Sequence, residues 1–255
     1  MKTIQIEFAN RKGLILRGIA TMPDGEGRFP TVVNLHGFGG MKGGYKGLHI
    51  TMARELAVEG AACIRLDFSY NGESDGEFED MTFTTLLEDT EDIWNWAKTQ
   101  EFVDPTRMLL SGHSMGGFVA ASSAPKLNPA GLILMCPGKQ MWDGCGERSR
   151  AMEANGIAFG DIEGLKLSHA FNYDLETYHP FEDAAGYKGP ALIVRGTKDE
   201  LVDEATCETY LALYEDSKSR LVHVENGNHN FTGIPCRTAL TKEVCQFTKE
   251  ITALV

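Results

Sequence analysis

Gly112-His113-Ser114-Met115-Gly116 sets a serine between two glycines, directly after the apolar run 107–110 and directly before a helix-like stretch at 118–124. A serine hydroxyl is a weak nucleophile, so chemistry at Ser114 requires a neighbouring imidazole to take its proton and a carboxylate to orient that imidazole. The setting suits this role. A tight strand-to-helix turn pushes the hydroxyl out of a sheet at the expense of strained dihedrals, and side chains at 112 or 116 would strike neighbouring backbone. The helix that follows also turns its free N–H groups toward the same point.

Three further passages share a pattern with Gly-His-Ser-Met-Gly. Leu35-His36-Gly37-Phe38-Gly39-Gly40 closes the run 31–35, and Asp67-Phe68-Ser69-Tyr70-Asn71-Gly72-Glu73-Ser74-Asp75-Gly76 closes the run 61–66. The third is Arg195-Gly196-Thr197-Lys198-Asp199-Glu200-Leu201-Val202, after the run 191–194. Together they resemble the α/β-hydrolase superfamily over essentially the whole chain. The resemblance implies an acid and then a histidine on later strand ends, in that order after the serine. Asp199 occupies the acid position, with Glu200 and Asp203 as alternatives, and His229 in Gly227-Asn228-His229-Asn230-Phe231 occupies that of the base. It also implies an oxyanion hole made by the backbone N–H of Met115 and by that of Phe38 after the His-Gly pair; one such donor is worth about 3 kcal/mol in the transition state. His36 is expected to make local hydrogen bonds, Ser74 to belong to a structural loop, and His49, His113, His169, His179 and His223 to lie outside the base position.

The elements that must hold these residues alternate. Extended runs are expected at 4–8, 14–19, 31–35, 61–66, 107–110, 131–135, 191–194 and 221–224, several of them unbroken and apolar, as for strands covered on both faces. Helices are expected at 50–58, 85–99, 118–124, 205–214 and 242–254. In the second of these Leu86, Ile93 and Ala97 line one side, with Glu88, Asp89, Glu91 and Asp92 on the other. This predicts an α/β fold with a mostly parallel sheet flanked by helices, as one domain over 1–255.

Composition narrows the function. The 255 residues are 42% apolar and 24% charged, with net charge −12, which argues against a non-specific nucleic-acid binder and gives no attraction to an anionic membrane. The N-terminal residues lack the apolar core of a secretory signal, and no window is apolar enough to span a bilayer. The six cysteines form no close pair, and Cys63 and Cys136 fall in apolar runs, so a reducing cytoplasm is expected. No metal or cofactor is expected, since neither HExxH, a Cys–His cluster nor GxGxxG at the first strand–helix junction is present. A homodimer is compatible with the sequence.

Residues 137–190 break the alternation, with a helix expected at 147–154 and no strong strand, and are read as a lid insertion. Chain length, this modest insertion and the HGFGG, GHSMGG and GNHNF forms resemble bacterial cinnamoyl (feruloyl) esterases. That resemblance implies a small-molecule ester substrate of the hydroxycinnamoyl type, its phenol held by a lid carboxylate and tyrosine. By position these are Asp143 and Tyr173, with Trp142 among the aromatics against which the ring would pack. The core motifs are also those of acylglycerol lipases, thioesterases and peptidases or amidases, and a catalytically silent binding protein is a further alternative. The polar insertion, with Lys139, Asp143, Glu147, Arg148 and Arg150, disfavours a lipase.

Overall fold

The computed structural model describes residues 1–253; Leu254, the end of the last expected helix, lies outside the described residues. Eight strands form one sheet: β1 (Lys2–Ala9), β2 (Ile15–Met22), β3 (Phe29–Leu35), β4 (Ala62–Leu66), β5 (Val103–His113), β6 (Gly131–Met135), β9 (Ala191–Gly196) and β10 (Arg220–Val224). Their spatial order is β1-β2-β4-β3-β5-β6-β9-β10. The pairings β1–β2 and β2–β4 are antiparallel and all others parallel. β4 and β6 are buried at every position, which is why their sequences read as unbroken apolar runs.

Helices α1 (Leu48–Val58) and α7 (Ile234–Thr252) pack together on one face, and α2 (Phe83–Lys98) and α3 (Met115–Leu127) together on the other. The helix α6 (Glu204–Ala212) packs on β9 and β10. Thr82 caps α2, its hydroxyl accepting from the Thr85 N–H while the Thr85 hydroxyl accepts from the Thr82 N–H. α7 begins eight residues before the expected 242. Its start carries Pro235, a residue suited to the first helical turn, and that signal outweighs the weak periodicity behind it.

Asp89 corrects the reading of α2 as a helix with all its acids outward: it is buried, three residues after Leu86 and four before Ile93, hence on the apolar face. Its carboxylate accepts from the Ser69 N–H (2.7 Å) and hydroxyl (2.6 Å) and from Asn10 Nδ2 (2.7 Å). Burial pushes this carboxyl up despite those bonds. The pair ties α2 to the loop after β4.

Between β6 and β9 the chain leaves the sheet to form α4 (Cys145–Ala154), a hairpin of β7 (Gly160–Ile162) and β8 (Leu165–Leu167), and α5 (His169–Leu175). The hairpin was not expected. Each strand has three residues, and Glu163, a residue untypical of such turns, holds φ 51° between them.

Candidate active site

The functional side chains all stand at the C-terminal ends of parallel strands, where an open α/β sheet offers its crevice. β5 ends at His113 and α3 starts at Met115, so Ser114 is the whole turn, with φ 57° and ψ −123°. The flanking glycines are required by space. A Cβ on Gly116 would lie 2.5 Å from the carbonyl oxygens of both Leu35 and His36, and one on Gly112 would collide with the Gly116 carbonyl. The elbow is therefore locked against the end of β3, the strand that delivers the His36-Gly37-Phe38 loop.

Ser114 Oγ lies 2.8 Å from His229 Nε2, and His229 Nδ1 lies 3.0 Å from Asp199 Oδ2. Asp199 Oδ1 accepts from the N–H groups of Leu201 (2.8 Å) and Val202 (3.0 Å). Burial pushes the Asp199 carboxyl upward, but hydrogen bonds from His229 and Cys136, with the His229 charge and the Val202 N–H, hold it well below the usual carboxylate range. Such an anion fixes Nδ1–H and leaves Nε2 free to accept from the serine. Of the alternative acids, Glu200 is exposed and Asp203 caps α6 through the Thr206 N–H.

The remaining histidines have separate tasks. His36 is buried and accepts from the Phe68 N–H at Nε2 (3.1 Å), with Nδ1 2.8 Å from the Gly37 carbonyl; burial lowers its pKa. His113 Nε2 donates to the His229 carbonyl (2.8 Å), so the residue before the serine holds the loop of the base. Burial, then the His229 charge, lowers the His113 pKa to about 4. His49 packs edge-on against His113 at 5.8 Å, with neither ring nitrogen partnered among the described residues.

The loop after β4 braces the one after β3. Asp67 is fully buried at its side chain, and accepts from the Lys42 N–H (2.5 Å), Lys42 Nζ (2.6 Å) and the Glu73 N–H (3.0 Å). The Ser74 hydroxyl donates to the Asp67 carbonyl (2.7 Å) and is thereby engaged away from the site.

A cleft of about 1400 Å³ opens over Ser114. Phe38 forms part of its wall, its ring between Phe78 (5.5 Å) and Phe171 of α5 (5.4 Å). The insertion supplies Met141, Met152, Leu167, His169 and Asn172 to one side. Trp142, Asp143 and Tyr173 are not among the lining residues. Trp142 Nε1 donates to the Tyr178 carbonyl (2.6 Å), Asp143 pairs with Lys139 (2.7 Å) at the surface, and the Tyr173 hydroxyl donates to Glu153. His169, which its place in the insertion already offered as a pocket residue, lines the cleft, whereas the motif-based reading missed His49 and Asn172, because only the fold turns them to it.

Cys136, Asp199 and His229 are the one cluster of metal-capable groups among the described residues, their donor atoms within 4.8 Å of one another. It is the hydrogen-bonded Asp199–His229 pair with a thiol beside it. Burial, reinforced by the neighbouring carboxylate, raises the Cys136 pKa well above its usual value, which keeps the thiol a donor to Asp199 and a poor metal ligand.

A mostly parallel sheet carrying serine, aspartate and histidine past the ends of β5, β9 and β10 defines a serine hydrolase of the α/β-hydrolase fold. Residues 28–157 match the family described as serine aminopeptidase, S33, and the chain belongs to that family. The quorum-quenching protein AidA of Acinetobacter baumannii is 31% identical over 148 residues, 57% of this chain and 45% of that protein. A 31.7 kDa protein from the traX-finO intergenic region of Escherichia coli is 34% identical over 103 residues, 40% of this chain and 35% of it. The chain thus matches less than half the length of these curated relatives. Est1E from Butyrivibrio proteoclasticus, solved with ferulic acid, superposes with TM-score 0.83 at 24% identity, covering 97% of this chain and 99% of that one. DcsB, solved with a substrate analogue, superposes with TM-score 0.80 at 19% identity, covering 99% of this chain and all of that one. No helix among the described residues is long and apolar enough to cross a membrane, and all six cysteines are free and buried.

Proposed function

We propose that the protein is a serine carboxylesterase in which Ser114 is the nucleophile, His229 the base and Asp199 the acid, acting on small to medium esters of hydroxycinnamoyl type. The observation that carries the reading is the continuous contact from Ser114 Oγ through His229 to a buried Asp199 carboxylate, at 2.8 and 3.0 Å. His229 takes the serine proton as Oγ attacks the ester carbonyl. The Phe38 and Met115 N–H groups receive the oxyanion, and His229 then protonates the departing alcohol. Water activated by the same imidazole releases the acid. Asp199 stays ionised throughout and stabilises the imidazolium.

The aromatic acyl preference is supported by the Phe38 wall and by the likeness in fold to Est1E, solved with ferulic acid. In this reading residues 137–190 act as the lid that shapes the acyl pocket, and six reduced, buried thiols suit the cytoplasm. Amide hydrolysis is the second reading, favoured by the description of the family. Labelling by a fluorophosphonate probe, lost in Ser114→Ala, tests the nucleophile. Comparing p-nitrophenyl esters, methyl ferulate, methyl p-coumarate and aminoacyl p-nitroanilides then chooses the substrate: turnover of the anilides alone would refute the esterase reading.

A further inference from the structure

Inside the insertion, three polar side chains form a chain of hydrogen bonds whose direction can be worked out. His169 Nε2 lies 2.9 Å from the Ile157 carbonyl, which can only accept, so a neutral His169 carries its proton on Nε2. His169 Nδ1 is then an acceptor, and the only donor it meets is the Ser149 hydroxyl at 3.1 Å. With that proton committed, Ser149 Oγ can only accept from its other neighbour, Asn172, whose Nδ2 lies 2.9 Å away. Turning the Asn172 amide over would place two acceptors face to face. The orientation of the amide is thus fixed by a carbonyl on another segment, and it leaves Asn172 Oδ1 over. That oxygen is buried and has no partner among the described residues.

Asn172 is 5% exposed and stands on the cleft wall, together with the apolar Met141, Met152 and Leu167. A buried carbonyl oxygen without a donor is costly, and native structures leave few of them. Asn172 lines the cleft but its Oδ1 has essentially no exposed surface, so a bound molecule supplies the donor through a local shift of the side chain or of α5. We propose that Asn172 Oδ1 is a specificity-determining acceptor, and that the substrate is an ester whose apolar body ends in a hydroxyl or N–H donor. The assignment rests on the esterase reading and adds to it the atom that selects the substrate. An analogue lacking the donor leaves Oδ1 unpaired, so the site discriminates against it.

Two ester pairs test this, one with the hydroxyl on the acyl side and one with it on the alcohol side: methyl p-coumarate against methyl cinnamate, and 2-(4-hydroxyphenyl)ethyl acetate against 2-phenylethyl acetate. Wild type is expected to favour the hydroxylated member of one pair by about tenfold in kcat/KM, and that pair identifies which half of the ester lies along the insertion. Asn172→Leu is expected to bring the ratio to within about twofold, the loss on the hydroxylated ester exceeding any loss on its partner. A ratio near one in wild type on both pairs means that water or nothing meets Oδ1, and overturns the assignment even if Asn172→Leu does not fold. A preference that survives Asn172→Leu, or equal losses on both members of a pair, overturns it too. Failure of wild type to cleave any of the four esters refutes the esterase reading instead.

Discussion

His113 makes the protein sensitive to mild acid. It is buried beside the His229 loop, near His49 and Phe231, and its folded pKa of about 4 lies below the ordinary value of 6.5. Between these two values the unfolded chain binds a proton that the folded chain refuses, so stability rises with pH. The contribution is complete above about pH 6.5 and is lost as pH falls toward about 4. Its full size is about 3 kcal/mol. His113→Gln removes the titration, while its amide can still donate to the His229 carbonyl. The assay is urea unfolding of both proteins from about pH 7.5 to about pH 4.5. The variant is expected to start lower but to lose about 2.5 kcal/mol less over that range. His36 and His49, also lowered by burial, steepen the acid loss in both proteins and largely cancel in the comparison. Parallel stability profiles for the two proteins would refute the reasoning, because a neutral buried His113 could not then be what acid attacks.

Ser114→Ala should fold normally and lose about three or more orders of magnitude in kcat; retention of a tenth of wild-type turnover would move the nucleophile elsewhere. Asp199→Asn should lower kcat by roughly 10³- to 10⁴-fold with little change in substrate binding, and a larger loss in Glu200→Gln would shift the acid by one residue. Gly116→Ala drives a methyl group toward two carbonyl oxygens at 2.5 Å and should destabilise by about 3 kcal/mol or more in thermal unfolding; a normal Tm would mean that the elbow is not locked to β3. Asp143→Ala and Tyr173→Phe should each change kcat/KM on methyl p-coumarate by less than about twofold, since both side chains are engaged outside the cleft wall.

The triad could be proposed from sequence because each member has a local signature: a glycine-bounded serine after a strand, and an aspartate and a histidine just past two later apolar runs. The parallel sheet was legible for a similar reason, its covered strands being unbroken runs such as Gly131–Met135. What escaped depends on distant neighbours. Asp89 reads as one of four surface acids within residues 88–92 until Ser69 and Asn10 are seen to meet it. The unpaired oxygen of Asn172 depends on Ser149, His169 and the Ile157 carbonyl, which lie on three different segments. Cys136 reads as a small apolar residue at the end of β6 and only the pairing of β6 with β9 puts its thiol beside Asp199. Position in the insertion likewise offered Asp143 and Tyr173 for the cleft, whereas the packing of α4 and α5 turns them to Lys139 and Glu153.

The insertion departs after Met135 and returns at Ala191, and the strands that bound it are hydrogen-bonded neighbours, Leu132 opposite Ala191 and Met135 opposite Val194. Because the pair is parallel, the segment leaves at the C-terminal end of β6 and returns at the N-terminal end of β9, and the sheet fixes both anchor points whatever the intervening chain does. Such a segment is an exchangeable cassette. Selection can lengthen, shorten or replace it without re-registering a strand or moving Ser114, Asp199 or His229, provided that the new piece still covers Phe38. Substrate range can thus diverge quickly between relatives while the hydrolytic machinery drifts slowly, and a chimera carrying a foreign segment between these two strands is the natural starting point for retargeting the enzyme.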